Sequence, residues 1–120
     1  GVDLITGQTN SAVWQNFPTD HHPDTGAPTS GVQIPHWQKL LTLAAQCHDL
    51  VDLGYLGVDI VLDRDLGPLV LELNARPGLS IQIANAKGLN KLLQAVEQLE
   101  TIPVSPQNRA ALGQAIFHRI

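Results

Sequence analysis

Residues 57–74, GVDIVLDRDLGPLVLELN, constrain the fold more than any other stretch of this chain. Two runs of alternating character flank a short polar turn, the pattern of a β-hairpin with one greasy side. Val58, Ile60 and Leu62 share one face of the first strand, and Gly57, Asp59, Val61 and Asp63 share the other. On the second strand Leu69, Leu71 and Leu73 form the apolar face, opposite Val70, Glu72 and Asn74. Both apolar faces must meet one core, because a slip of one residue turns a whole strand over. With residues 64–67 as a four-residue loop, Asp63 faces Pro68, Val61 faces Val70, Asp59 faces Glu72, and Asn74 lies diagonal to Asp59.

Directly opposed residues have Cβ atoms about 4.5–5.5 Å apart, and like charges at that range destabilise a sheet. A divalent cation between Asp59 and Glu72 removes the conflict. Mg²⁺ takes hard oxygen ligands from one or two carboxylates and completes its shell with water and substrate phosphates. Asp59, Glu72 and the amide oxygen of Asn74 match that demand and are the candidate metal ligands. The bland alternative is a solvated acid pair that finds a Lys or Arg. Asp63 and Asp65 read as ordinary turn residues.

Around this hairpin the chain divides readily. Residues 2–6 and 11–15 are β-prone runs about Gly7 and Asn10, and read as a first hairpin. Residues 16–34 hold Pro18, Pro23, Pro28, Gly26 and Gly31 without periodicity, the composition of a long, mobile loop. Pro35 opens a helix with Trp37, Leu40, Leu41, Ala44, Cys47, Leu50 and Val51 at helical spacing, and Gly54 offers a stop. Leu89, Leu92, Leu93, Val96 and Leu99 mark a second helix. Ser105 and Pro106 read as the cap and first position of a third. The expected fold is α+β, one domain over residues 1–120, an antiparallel sheet with helices on one face. Since the chain opens at Gly1 in strand-like sequence, it reads as a piece excised from a longer protein.

Composition excludes several classes. With 15% charged residues and a net charge of −4, no cation surplus exists to neutralise a phosphate backbone, which argues against nucleic acid. No run approaches the roughly 20 apolar residues of a membrane span. One cysteine, Cys47, cannot form an internal disulfide and reads as a buried small apolar residue, so a cytoplasmic setting is expected.

The pattern Asp59, twelve residues, Glu72, one residue, Asn74, within GVDIV and LVLELNARPGL, resembles the metal hairpin of ATP-grasp enzymes, and within them the RimK-like α-L-glutamate ligase group. HHPDTGAPTSGVQIPHW and LGYLGVDIVLDRD add to the likeness. The resemblance implies the carboxyl-terminal subdomain of an ATP-grasp fold. It implies that Asp59 ligates one Mg²⁺ (or Mn²⁺), that Glu72 bridges two ions and that Asn74 completes the second, with Glu72 and Asn74 at the ATP phosphates. It further implies a ligase in which a carboxylate attacks the γ-phosphate to give an acylphosphate and an amine then forms the amide. Arg76 departs from the small residue often found at its position in RimK-like ligases. As a bidentate donor to a substrate carboxylate or phosphoryl oxygen it is the candidate catalytic residue. The glycine-rich phosphate loop and adenine-binding lysines of the family's N-terminal subdomain have no counterpart here, so the chain alone is expected to be inactive and to need that subdomain as partner.

His21, His22 and Asp24 suggest a metal loop, but adjacent histidines in an extended segment point apart. Ser80 reads as a helix cap, Trp37 as a core anchor, and Lys39, Lys87 and Lys91 as solvated. Two rival functions remain open: a non-catalytic interaction domain that inherits the hairpin, and a Mg²⁺-dependent nuclease, which would need a Lys where Asn74 stands.

Overall fold

The alternation of residues 57–74 becomes an antiparallel hairpin in the computed structural model, which describes residues 1–120. In chain order the elements are β1 (Ala12–Trp14), β2 (Phe17–Thr19), α1 (Trp37–Cys47), β3 (Gly57–Asp63), β4 (Gly67–Asn74), α2 (Ser80–Asn85), α3 (Leu89–Glu97) and α4 (Pro106–Arg119). The class is α+β. The strands make two separate two-stranded ladders, β1–β2 and β3–β4, where a single sheet was expected. The chain folds as two compact units, one of residues 1–35, 78–99 and 116–120, the other of 36–77 and 100–115.

The second unit holds the β3–β4 hairpin and α1. Helix α1 starts two residues after Pro35, and His36, in the left-handed region at φ 56°, lends its carbonyl to the N–H of Leu40 at 2.9 Å. Its stripe half-buries Leu40, Leu41 and Ala44 and buries Cys47, which is 2% exposed. The helix stops earlier than its periodicity suggests. A 3₁₀ turn over His48–Leu50 follows, and the tighter winding swings Leu50 out to 74% exposure. Arg109 of α4 fastens the end of α1: its guanidinium donates to the carbonyls of Ala45 (3.0 Å), Pro103 (3.3 Å) and Val104 (2.6 Å) and pairs with Asp49 at 2.6 Å. Ser105 Oγ accepts the N–H of Asn108, so the expected Ser-Pro start of α4 is realised.

The first unit departs further from expectation. Val2 and Thr9 form only an isolated bridge, and the hairpin runs over residues 12–19 instead. Its two-residue turn places Gln15 and Asn16 at φ 49° and 67°, the doubly left-handed turn that matches strand twist. Asn-Gly usually announces such a turn, and Pro18 within β2 argues against a strand, so the sequence concealed it. The stretch read as one loop, 16–34, thus contains β2 and bridges His21–Pro28 and Gln8–Gln33. Helix α2 also lacks a sequence signal. It is a short helix closed by Ala86 in the left-handed region, with Lys87 N–H bonded to Gln82 O and Ala86 N–H to Ile83 O. Asn85 ties this helix to the first residues by accepting the N–H of Val2 at 3.0 Å.

Candidate functional site

The ladder pairs Gly57 with Asn74, Val58 with Leu73 and Asp59 with Glu72. Asp59, Glu72, Asn74 and Gly57 therefore share one face of the hairpin. Toward the turn the register differs from expectation: Ile60 pairs with Val70, Val61 with Leu69, Leu62 with Pro68 and Asp63 with Gly67. Leu71 is the extra residue, a β-bulge beside the Asp59–Glu72 pair. It takes up the residue that a shorter turn releases, so the acids meet by either count while Leu69 and Val70 exchange faces. Leu71, expected in the core, is 68% exposed. Pro68 is buried and lines one cleft with Thr42, Leu43 and Gln46 of α1, so α1 lies against the face opposite the acids.

Both carboxylates of the pair are exposed. Neither has a cationic partner, since the chain's ion pair is Arg109 with Asp49. No group of three or more His, Cys, Asp or Glu side chains comes together anywhere. The donor set on this face is two carboxylates and one amide oxygen, all hard oxygens on the face that α1 leaves uncovered. That set fits an ion which draws its remaining ligands from water and phosphate. Asn74 has a second task. Its Oδ1 accepts the N–H of Arg76 at 2.9 Å, an Asx turn that bends the chain directly after β4. Arg76 is exposed and makes no ion pair, so its fork is not committed to a carboxylate of this chain.

Asp63 is a turn residue in the full sense: its Oδ1 accepts N–H groups from Leu66 (2.8 Å) and Asp65 (2.9 Å), which hold its carboxyl below the usual value. Cys47 is buried, its Sγ lies 3.4 Å from Leu43 O, and burial pushes the thiol up. Ser80 opens α2 without capping it, because Leu79 occupies the cap position and no side chain bonds there. Lys87 is half-buried rather than fully solvated. Its Nζ donates to Phe117 O at 2.9 Å and lies 3.9 Å above the Phe117 ring. His21, His22 and Asp24 are exposed, and His22 Nδ1 merely accepts the N–H of Asp24 at 3.2 Å. Sequence reading missed the weight of Gly57 and Leu71; a glycine inside a strand pattern is the signal that a close backbone approach lies there.

A hairpin-borne acid pair in an α+β chain accords with the ATP-grasp class, and a family comparison settles membership. The chain belongs to the family described as sugar-transfer associated ATP-grasp, which matches residues 1–98. No curated protein and no solved structure matches it. No helix is long and apolar enough to cross a membrane.

Proposed function

We propose that this chain is the metal- and ATP-phosphate-binding part of an ATP-dependent carboxylate–amine ligase, as in the RimK-like group. The observation that carries the reading is the direct pairing of Asp59 with Glu72 on an uncovered face without a Lys or Arg to balance them. In this reading Asp59, Glu72 and Asn74 hold Mg²⁺ at the ATP phosphates, and the ion supplies neutralisation of charge on the transferring phosphoryl group. Arg76 orients the substrate carboxylate or phosphoryl oxygen with its planar fork. The carboxylate oxygen attacks the γ-phosphorus and ADP leaves, giving an acylphosphate. The amine then attacks the carbonyl carbon, phosphate leaves and an amide forms. The family's association with sugar transfer makes a sugar-borne carboxylate or amine the first substrate to assay.

Calorimetric titration of the full-length protein with Mg²⁺ and nucleotide tests this. Asp59→Asn and Glu72→Gln should each weaken nucleotide binding in Mg²⁺ by at least about 10-fold, as loss of a metal ligand does, and should abolish amide formation. Nucleotide binding indifferent to both substitutions would leave the inert interaction domain as the better reading.

A further inference from the structure

We infer that Gly57 is a positioning residue for this face: its missing side chain lets Pro77 settle onto β3 and thereby sets the turn that carries Asn74 and Arg76. The inference rests on the reading just given. A Cβ at position 57 would stand 2.7 Å from Pro77 Cβ, 3.3 Å from Pro77 Cγ and 3.5 Å from Asn74 Cβ. The first distance lies well inside van der Waals contact, and a pyrrolidine ring cannot swing aside as the end of a flexible chain could. Backbone conformation does not demand the glycine, because Gly57 is absent from the left-handed residues that include Gly7, Gly26, Gly31 and Gly67. Clearance is what it provides.

The direction of that clearance matters. Residues 57 and 59 lie on one side of β3, and position 57 pairs with Asn74, so the would-be Cβ points along the face of Asp59 and Glu72. Pro77 therefore closes the end of the acid face. Between Asn74 and Pro77 the chain is held by the Asx bond from Arg76 N–H to Asn74 Oδ1. A methyl group at 57 displaces Pro77, strains that bond and turns the Asn74 amide oxygen and Arg76 away from the pair. Gly57 itself touches no ligand.

The test uses the full chain with Mn²⁺ alone as probe, bound metal being read by water-proton relaxation, together with the amide resonance of Arg76 and thermal melting. Gly57→Ala should weaken Mn²⁺ binding by about 10- to 100-fold, the usual scale for residues that orient a metal ligand, and should shift the Arg76 amide. Adding Pro77→Gly to Gly57→Ala removes the clashing ring and should recover most of the affinity. Gly57→Ala that binds Mn²⁺ like the wild type, while Asp59→Asn does not, overturns the positioning role and leaves the proposed function standing. A wild-type chain that binds no more Mn²⁺ than Asp59→Asn overturns both. Should Gly57→Ala fail to fold, the double variant decides: folded and metal-binding supports the clash with Pro77, and unfolded rejects it.

Discussion

Asp63 receives two backbone N–H groups on one oxygen, and that fixes how the β3–β4 turn responds to acid. Its carboxyl is held below the ordinary value by the Leu66 N–H first and the Asp65 N–H second. Asp3 is lowered in the same way, chiefly by the Thr6 N–H and hydroxyl. A depressed folded-state pKa means stabilisation that is complete above the unfolded value of about 3.9 and disappears as pH falls through the folded value. The carboxyl carbon of Asp63 should therefore titrate by NMR with a midpoint below about 3.9, and in Asp63→Ala the acid-dependent loss of the turn should vanish. Single residues were the most legible level of the sequence. Period-two spacing was enough to put Asp59, Glu72 and Asn74 together, and Asp63 in the turn. It was blind to Gly57, whose importance lies in what Pro77 does from twenty residues further along.

Elements were legible where periodicity was long and hidden where local chemistry replaced it. Helices α1, α3 and α4 and the β3–β4 hairpin follow from apolar spacing. The β1–β2 turn, with Gln15 and Asn16 both left-handed, and the short helix α2 carry no such spacing. Alternation also failed locally in β4, because a bulge breaks the rule that adjacent residues point apart. The consequence is measurable. Leu71 stands 68% exposed, so Leu71→Ser should change unfolding free energy in urea by no more than about 0.5 kcal/mol. Leu73, half-buried opposite Val58, should cost about 1–2 kcal/mol as Ala. Equal penalties at the two sites would mean that the strand is regular through residue 71.

At the scale of the whole chain, the polypeptide crosses between its two units four times, so neither is a continuous stretch that a cut could release. Twenty large apolar side chains are exposed, whereas the buried apolar side chains are the small ones of Cys47 and Pro68. With so thin a core, long-range fastenings matter disproportionately, and neither of the chief ones was visible in the sequence. Lys87 on Phe117 spans 30 residues, and Arg109 on Ala45 spans 64. The family match ends at residue 98, ahead of Arg109. A chain truncated after residue 99 keeps the whole matched region but strips the last turn of α1 of its guanidinium. It should melt lower than Arg109→Met, because it loses α4 and the Lys87–Phe117 contact as well. Arg109→Met should lower the melting temperature by the equivalent of about 1–2 kcal/mol, because the part-buried carbonyls of Ala45 and Pro103 lose their donor while water takes over at exposed Asp49. Arg109→Lys should recover only part of this, since one ammonium cannot serve the same fork of acceptors.

Cys47 lies at the end of the helix that Arg109 fastens, and it is the chain's single thiol. A reagent can reach its sulfur only in moments when that end of α1 comes loose. Alkylation of the native protein therefore keeps time with a breathing motion, and its rate reads, without any introduced label, how often the helix lets go.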